Sequence, residues 1–577
     1  MKYPFIEIKN TIISMLTTSI QQLEYTQDIR IEVPPNQMGD FSFPCFQLCS
    51  QSKKSPNDTA KEIASIIPNN ELIKSIEVVH GYINFYINME YLIKETITLI
   101  LSMKHEYGNL PKKEKKVIIE HTSANPNGPF HVGRARNPII GDTLTRIYRA
   151  AGYTSESQYY LDDLGKQVAI LMWGLHHFTE KDIETPSLDK PDHIAVGYYQ
   201  KAYEHMKENE HIEEEIGIII KKSEQGDEEI LKKIHTAYEP VLEGMKKSLQ
   251  SINISIDSYI PESTFVQNKS VEQVIETLKK SKYCKKENGA FFLDLATFGI
   301  QGRSTKFFFV RNDGTSLYAT RDIAYHQWKA QQADLLINVL GEDHKLESKQ
   351  VEIGLTLCKE SNLPKTVFYA FVSLPEGKMS TRHGRVIYLD DLIDECIQRA
   401  YNEVKKRRGD ELNEQQMKKI AEIIGTGALR YNIIKVQPEK DIEFKWEDAL
   451  NFEGNSAPFI QYAHARASSI LAKLSKKSTY DENNMTSLTH PSEVLLIKKL
   501  SQLPEIITSA SEGFKPHLIA NYLFDTASSF NQFYRDCPVL NDATETRKQA
   551  RIQLVQATKI VLRNGLQLLG IQAPEEM

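Results

Sequence analysis

Short apolar runs alternate with amphipathic stretches through the middle of this 577-residue chain. Val117–Glu120, Gln158–Leu161, Phe307–Val310, Leu335–Leu340 and Val367–Val372 each read as a strand buried on both faces. Strands of that kind, separated by helical patterns, predict a parallel sheet and an α/β core. The first ~110 residues differ. Helical periodicity near Phe5–Gln22 and Asp58–Ile67, followed by a strand pair around Ile76–Ile87, predicts a compact α+β unit. The lysine-rich stretch from Pro111 to Lys116 reads as the linker to the next unit.

Between about 166 and 300 the alternation breaks down. Lys201–Lys233 is dense in both charge signs, which predicts exposed helices of an inserted module. After Asp390 the pattern is helical to the end. Leu496, Leu500, Leu503 and Ile507 follow 4-3-4 spacing, predicting one apolar face in a bundle core. The expected units are therefore 1–110, 111–390 with its insertion, a helical connector over 391–450, and a helical bundle over 451–577.

Composition narrows the class only slightly. With 41% apolar residues and 25% charged, the chain is an ordinary globular protein, which excludes wholesale disorder. A net charge of −6 excludes a global basic field, so any nucleic acid must find local basic patches. The bundle itself is near neutral, with 13 Lys/Arg against 12 Asp/Glu. Of six cysteines only Cys45 and Cys49 lie close together, and no second pair completes a zinc site. Met1–Ile20 carries Glu7 and Lys9 and does not read as a signal peptide. There is no 18-residue apolar run, so no membrane partner is expected. The expectation is a cytoplasmic protein.

Two segments carry chemistry. Glu120-His-Thr-Ser-Ala-Asn-Pro-Asn-Gly-Pro-Phe-His-Val-Gly-Arg134 follows a strand and leads into a helix, so His131 and Gly133 stand at a strand–loop–helix junction. Such a junction is expected to offer free backbone N–H groups to an anion. Far downstream, Gly377-Lys-Met-Ser-Thr-Arg-His-Gly384 is a basic, glycine-bounded loop. A phosphate-cradling turn plus a distant basic loop suits adenylate formation from ATP, where fixed donors and cations meet the charge on the phosphoryl oxygens.

His131-Val-Gly-Arg134 resembles the "HIGH" signature of class I aminoacyl-tRNA synthetases, and Lys378–Arg382 resembles their "KMSKS" loop. Ser123-Ala-Asn-Pro-Asn-Gly-Pro129, Tyr318-Ala-Thr-Arg-Asp322 and the segment Asn521–Pro538 resemble arginyl-tRNA synthetases in particular, over nearly the whole chain. The resemblance implies a Rossmann-type catalytic core, an N-terminal domain that meets the tRNA, and a C-terminal all-α anticodon-binding bundle. It implies ATP, L-arginine and tRNA-Arg as partners. Mg2+ would arrive with ATP, and no protein-bound metal is expected. A monomer is expected.

Residue by residue, the resemblance places His131, Lys378 and Ser380 in catalysis, and Gly133, Arg134, Met379 and Arg382 with them around ATP. Arg134 departs from the family pattern, which has a second histidine there, and Thr381 stands in place of its second lysine. Tyr318 and Asp322, four apart on a predicted helix, would face the guanidinium, with Glu120 as a second carboxylate. Asn125 would hold the α-amino and carboxylate end, with Ser123 beside it and His344 as a further contact. Tyr82 and Asn84 match the family segment that meets the tRNA elbow. Tyr534, with Asn531 and Arg535, faces the anticodon in the same reading. A nucleotidylyltransferase of the same fold family, or an RNA-binding relative that has lost activity, are the competing readings.

Overall fold

The computed structural model describes residues 2–34, 38–301, 305–373, 387–474 and 482–577. Helix Pro4–Gln22 opens the N-terminal domain. Proline at its first turn costs no hydrogen bond, and Phe5, Ile8, Ile12, Leu16 and Ile20 recur every three or four residues on its buried face. That face covers an antiparallel sheet of β1 (Phe41–Pro44), β2 (Ile73–Val79) and β3 (Tyr82–Ile87), in the order β1-β3-β2. Val79 pairs with Tyr82, leaving His80 and Gly81 as a two-residue turn. Both have positive φ (51° and 85°), as a hairpin of matching twist requires.

The catalytic-type core follows. β4 (Lys116–Glu120), β5 (Thr154–Leu161) and β6 (Ser258–Pro261) run parallel; β7 (Cys284–Glu287), β8 (Ala290–Asp294) and β9 (Lys306–Val310) form a separate antiparallel sheet. β10 (Leu335–Gly341) and β11 (Lys365–Tyr369) complete a five-stranded parallel sheet in the order β11-β10-β4-β5-β6. This is an α/β doubly wound arrangement, and its strand order reverses between β4 and β10. At such a switch point the loops leave in opposite directions and open a crevice at the strands' carboxyl ends.

Two expectations need correction. Phe307–Val310 is a strand, but it pairs with β8 and lies outside the parallel sheet. The sheet's fifth strand is instead β6, within the stretch read as pure insertion. Its four residues, one of them Pro261, are all half-buried at an edge, so no continuous apolar run announces it. The helices of that stretch are Lys166–His177, Pro191–Glu208, Glu210–Glu224 and Glu228–Ser251 before β6, and Ser263–Gln267 and Ser270–Lys279 after it.

Helices Leu389–Arg408 and Glu414–Ile434 connect to the terminal bundle. Leu496, Leu500, Leu503 and Ile507 are all buried, but on two helices, Pro491–Ser501 and Leu503–Glu512, separated at Gln502 where Pro504 follows. The single face predicted from spacing is thus two consecutive faces pointing into one core. Among the described residues no helix is long and apolar enough to cross a membrane.

One side chain fastens the units together. Arg430 is 1% exposed; its Nε donates to the Leu569 carbonyl (2.7 Å), its Nη1 to the Ile252 carbonyl (2.8 Å) and its Nη2 to Asp142. Gly570, with φ of 67°, lets the chain pass it, because a Cβ there would sit 2.2 Å from Nη2.

Candidate active site

A cavity of about 540 Å³ opens at the switch point, lined from β4, the loop after it, β10 and helix Tyr318–Ala330. The loop leaves β4 through Thr122 and Ser123, two non-glycine residues with positive φ (74° and 36°). That conformation costs free energy and persists only where neighbours hold it. Here the Asn137 amide oxygen accepts from Thr122 N–H (2.6 Å), and the Ser123 hydroxyl oxygen accepts from Tyr160 N–H (3.1 Å). His121 packs beneath against Gly141, where a Cβ would fall 2.1 Å from its ring, and burial lowers the His121 pKa to about 4. Asn125 lines the cavity beyond them.

His131 caps a tight turn, Val132–Arg134, and helix Arg136–Ala150 begins after it. The expectation of free main-chain donors at this turn is corrected. Gly133 N–H donates to the His131 Nδ1 (3.0 Å), Arg134 N–H to the His131 carbonyl (2.9 Å) and Val132 N–H to the Ile387 carbonyl (3.1 Å). With Nδ1 accepting, the neutral ring carries its proton on Nε2. Burial and the nearby Arg134 hold the His131 pKa below the ordinary histidine value, which favours that neutral form. The turn's donors to an anion are therefore side chains: His131 Nε2–H and Arg134, which both line the cavity. Arg134 has no ion-pair partner among the described residues. Gly133 serves the turn itself, since a Cβ there would meet His131 Nδ1 at 3.2 Å.

On helix Tyr318–Ala330 the charges are ordered. Tyr318 and Asp322 share one face of their helix and both line the cavity, as their spacing predicts. Burial pushes the Asp322 pKa up, but His326, Lys329 and His344 more than offset it and hold the carboxyl below its usual range. Asp322 Oδ1 lies 2.9 Å from His326 Nδ1, and Asn338 Nδ2 donates to His326 Nε2 (2.7 Å). Asn338 Oδ1 in turn accepts from Lys329 (2.9 Å), whose ammonium also meets Glu120 Oε2 at 2.6 Å. This directional chain fixes His326 as the Nδ1–H tautomer, aimed at Asp322. It also places Glu120, which lines the cavity as expected and has its charge paired with Lys329.

A further carboxylate stands there, unforeseen from the sequence and paired in the same way with a buried cation. Glu262, at the end of β6, is 2% exposed and lines the cavity; its Oε2 has no hydrogen-bond partner among the described residues. Its Oε1 accepts from the Tyr160 hydroxyl (3.2 Å) and lies 2.9 Å from Arg321 Nε. Burial raises its pKa to about 8, Arg321 opposing. His344 also borders the cavity, paired with Glu347 at 2.9 Å, which raises its pKa. Lys378, Met379, Ser380 and Arg382 lie outside the described residues.

The outlying candidates are placed differently. Asn84 is 2% exposed and its amide oxygen accepts from the Ser42 hydroxyl (2.7 Å), both on the sheet face opposite the core residues Phe41, Phe43, Ile83 and Phe85. Tyr82 packs edge-on against the exposed Phe46, ring centroids 5.1 Å apart. Tyr534 is 44% exposed; the Arg466 guanidinium lies over both its ring (5.2 Å) and that of Tyr462 (4.7 Å), and donates to Asn531.

Three family descriptions cover nearly the whole chain in matching order. "Arginyl tRNA synthetase N terminal domain" matches residues 7–87, "tRNA synthetases class I (R), catalytic domain" matches 96–446, and "DALR anticodon binding domain" matches 460–577. The catalytic match alone spans more than half of the sequence. The chain belongs to the class I arginyl-tRNA synthetase family. Among curated relatives of this synthetase, the arginine–tRNA ligase of Methanocella arvoryzae is 47% identical over 92% of each chain. That of Methanococcus maripaludis is 42% identical over 99% of this chain and all of its own. The solved Thermus thermophilus arginyl-tRNA synthetase superposes with a TM-score of 0.83 at 26% identity, covering 98% of this chain and 99% of its own.

Proposed function

We propose that this synthetase activates L-arginine with ATP and transfers it to tRNA-Arg, yielding arginyl-tRNA, AMP and diphosphate. The observation that carries the reading is one cavity lined by two chemistries: neutral His131 with Arg134, which has no ion-pair partner among the described residues, and the carboxylates Asp322 and Glu262. Phosphate suits the first pair and a guanidinium the second. The arginine carboxylate attacks the α-phosphorus of ATP, which arrives with Mg2+; the bond to the β-phosphate oxygen breaks and diphosphate leaves. His131 Nε2–H and Arg134 stabilise charge on the phosphoryl oxygens, and Lys378, Ser380 and Arg382 add to it from their loop. Asn125 and Ser123 hold the amino-acid end. The terminal ribose 2′-hydroxyl then attacks the carbonyl, AMP departs, and its phosphate takes the proton.

In this reading residues 111–390 perform the chemistry, 391–450 connect, and 1–110 and 451–577 hold the tRNA. Phe46 with the half-buried Tyr82 against it, and Tyr534 with Tyr462 and Arg466, supply rings for stacking unpaired bases. The enzyme works as a cytoplasmic monomer. The deciding experiment is exchange of labelled diphosphate into ATP, with each of the twenty amino acids, with and without tRNA. Exchange with arginine alone supports the reading. No exchange from folded protein that still binds tRNA would overturn it.

A further inference from the structure

Behind the His131 turn lies a buried polar cluster that the reaction above does not use. Asp390 Oδ2 accepts from Lys190 Nζ (2.7 Å), His193 Nε2 (2.8 Å) and the Ser248 hydroxyl (3.2 Å). Lys190 and His193 open helix Pro191–Glu208, Ser248 lies near the end of helix Glu228–Ser251, and both helices belong to the insertion. The two helices meet at Gly244, where a Cβ would sit 2.3 Å from Asp192 Oδ1. Asp192 is wholly buried and its charge is met by Lys190 at 3.1 Å. Asp192, His193 and Asp390 are spaced to hold a cation, and the Lys190 ammonium is that cation.

The cluster leads straight to the site. Two residues before Asp390, Tyr388 sets its ring edge-on to His193 (centroids 5.2 Å apart) and forms a main-chain bridge with His131. Leu389 N–H donates to the Phe130 carbonyl (2.8 Å), and the Ile387 carbonyl accepts from Val132 N–H (3.1 Å). These two bonds bracket His131. The main chain from which the His131 ring projects is therefore paired with a short segment that is anchored through Asp390. Buried ion pairs contribute little net stability compared with apolar packing, but their bonds are directional. A ladder of two bonds needs direction, because a slip by one residue would turn the opposite face to its neighbour.

We infer that Asp390, Lys190 and His193 are positioning residues for His131, through which the insertion sets the geometry of adenylate formation. This rests on the proposed role of His131 at ATP. The test compares full-length Asp390→Asn, His193→Leu and His193→Gln with wild type. It reads kcat and both KM values in diphosphate exchange, melting temperature, and the His131 ring signals by NMR. Asp390→Asn and His193→Leu are expected to lower kcat ten- to a hundredfold, with the arginine KM within twofold and the His131 signals shifted. His193→Gln returns an N–H donor near Nε2 and is expected to restore at least a third of wild-type kcat. Unchanged kcat and unchanged His131 signals in folded Asp390→Asn would overturn the inference. So would a glutamine variant no better than leucine, or a fall of kcat and rise of both KM values together in step with lost melting temperature. If wild type itself shows no exchange, the functional reading fails, and the His131 signals in Asp390→Asn still decide this inference.

Discussion

Lys329 Nζ meets Glu120 Oε2 at 2.6 Å with side chains only 0% and 8% exposed. Removing one partner of such a pair strands a charge where water cannot reach it, at a cost of roughly 3–5 kcal/mol. Lys329→Met is expected to destabilise by that amount in urea unfolding. Lys329→Met combined with Glu120→Gln is expected to recover most of it, since no lone charge then remains. Equal loss in single and double variants would show that the lysine acts by packing alone.

Asp322 is prepared for a cation by His326. Asp322→Ala is expected to raise the arginine KM about a hundredfold, the scale of one buried charged hydrogen bond pair, and to change the ATP KM little. Lys378→Ala is expected to show the reverse, slower adenylate formation with arginine affinity kept. Steady-state exchange kinetics separate the two, and equal effects on both substrates would remove either residue from its place.

Glu262 makes arginine binding depend on pH. Its pKa in the empty site is raised to about 8, so at pH 6 it holds a proton. A bound guanidinium favours the carboxylate, so binding releases that proton, and affinity is expected to tighten from pH 6 towards 8 and then level. Calorimetry in buffers of different ionisation enthalpy counts the proton, and Glu262→Gln is expected to abolish its release. The same raised pKa bears on stability. Glu262 favours the folded state most below the unfolded carboxyl range near 4.5, and that contribution is lost as pH rises through about 8.

Gly141 is a packing requirement rather than a flexible point. Its conformation is helical, but a Cβ would lie 2.1 Å from the His121 ring. Gly141→Ala is expected to destabilise by about 1–3 kcal/mol and to weaken arginine binding, because His121 supports the Thr122–Ser123 backbone. Thermal unfolding with and without arginine measures both.

Much of this was legible beforehand where signals are local. Four of the five apolar runs belong to the parallel sheet, and Tyr318 and Asp322 share their face because helical spacing demands it. What escaped depends on partners far away in sequence. Lys329 neutralises Glu120 across 209 residues, so a carboxylate that looks free in the sequence is not. Glu262 follows an edge strand too short and too polar to register, and nothing near it marks its burial. The turn at His131 showed its residue types but not that its N–H groups are spent, two within the turn and that of Val132 on the distant Ile387 carbonyl. Asn84 alternates with Ile83 and Phe85 on β3 and lies off their apolar face, but nothing local says that it is buried there against Ser42 of the neighbouring strand.

Arg430 sets an order of events during synthesis. Its Nε has the Leu569 carbonyl as acceptor, 139 residues further on. Until the last helix has left the ribosome, a guanidinium bound for a fully buried position beside Asp142 lacks one of its acceptors. The Arg430 guanidinium therefore gains its full set of acceptors only once the segment around Leu569 packs beside Asp142 and Ile252.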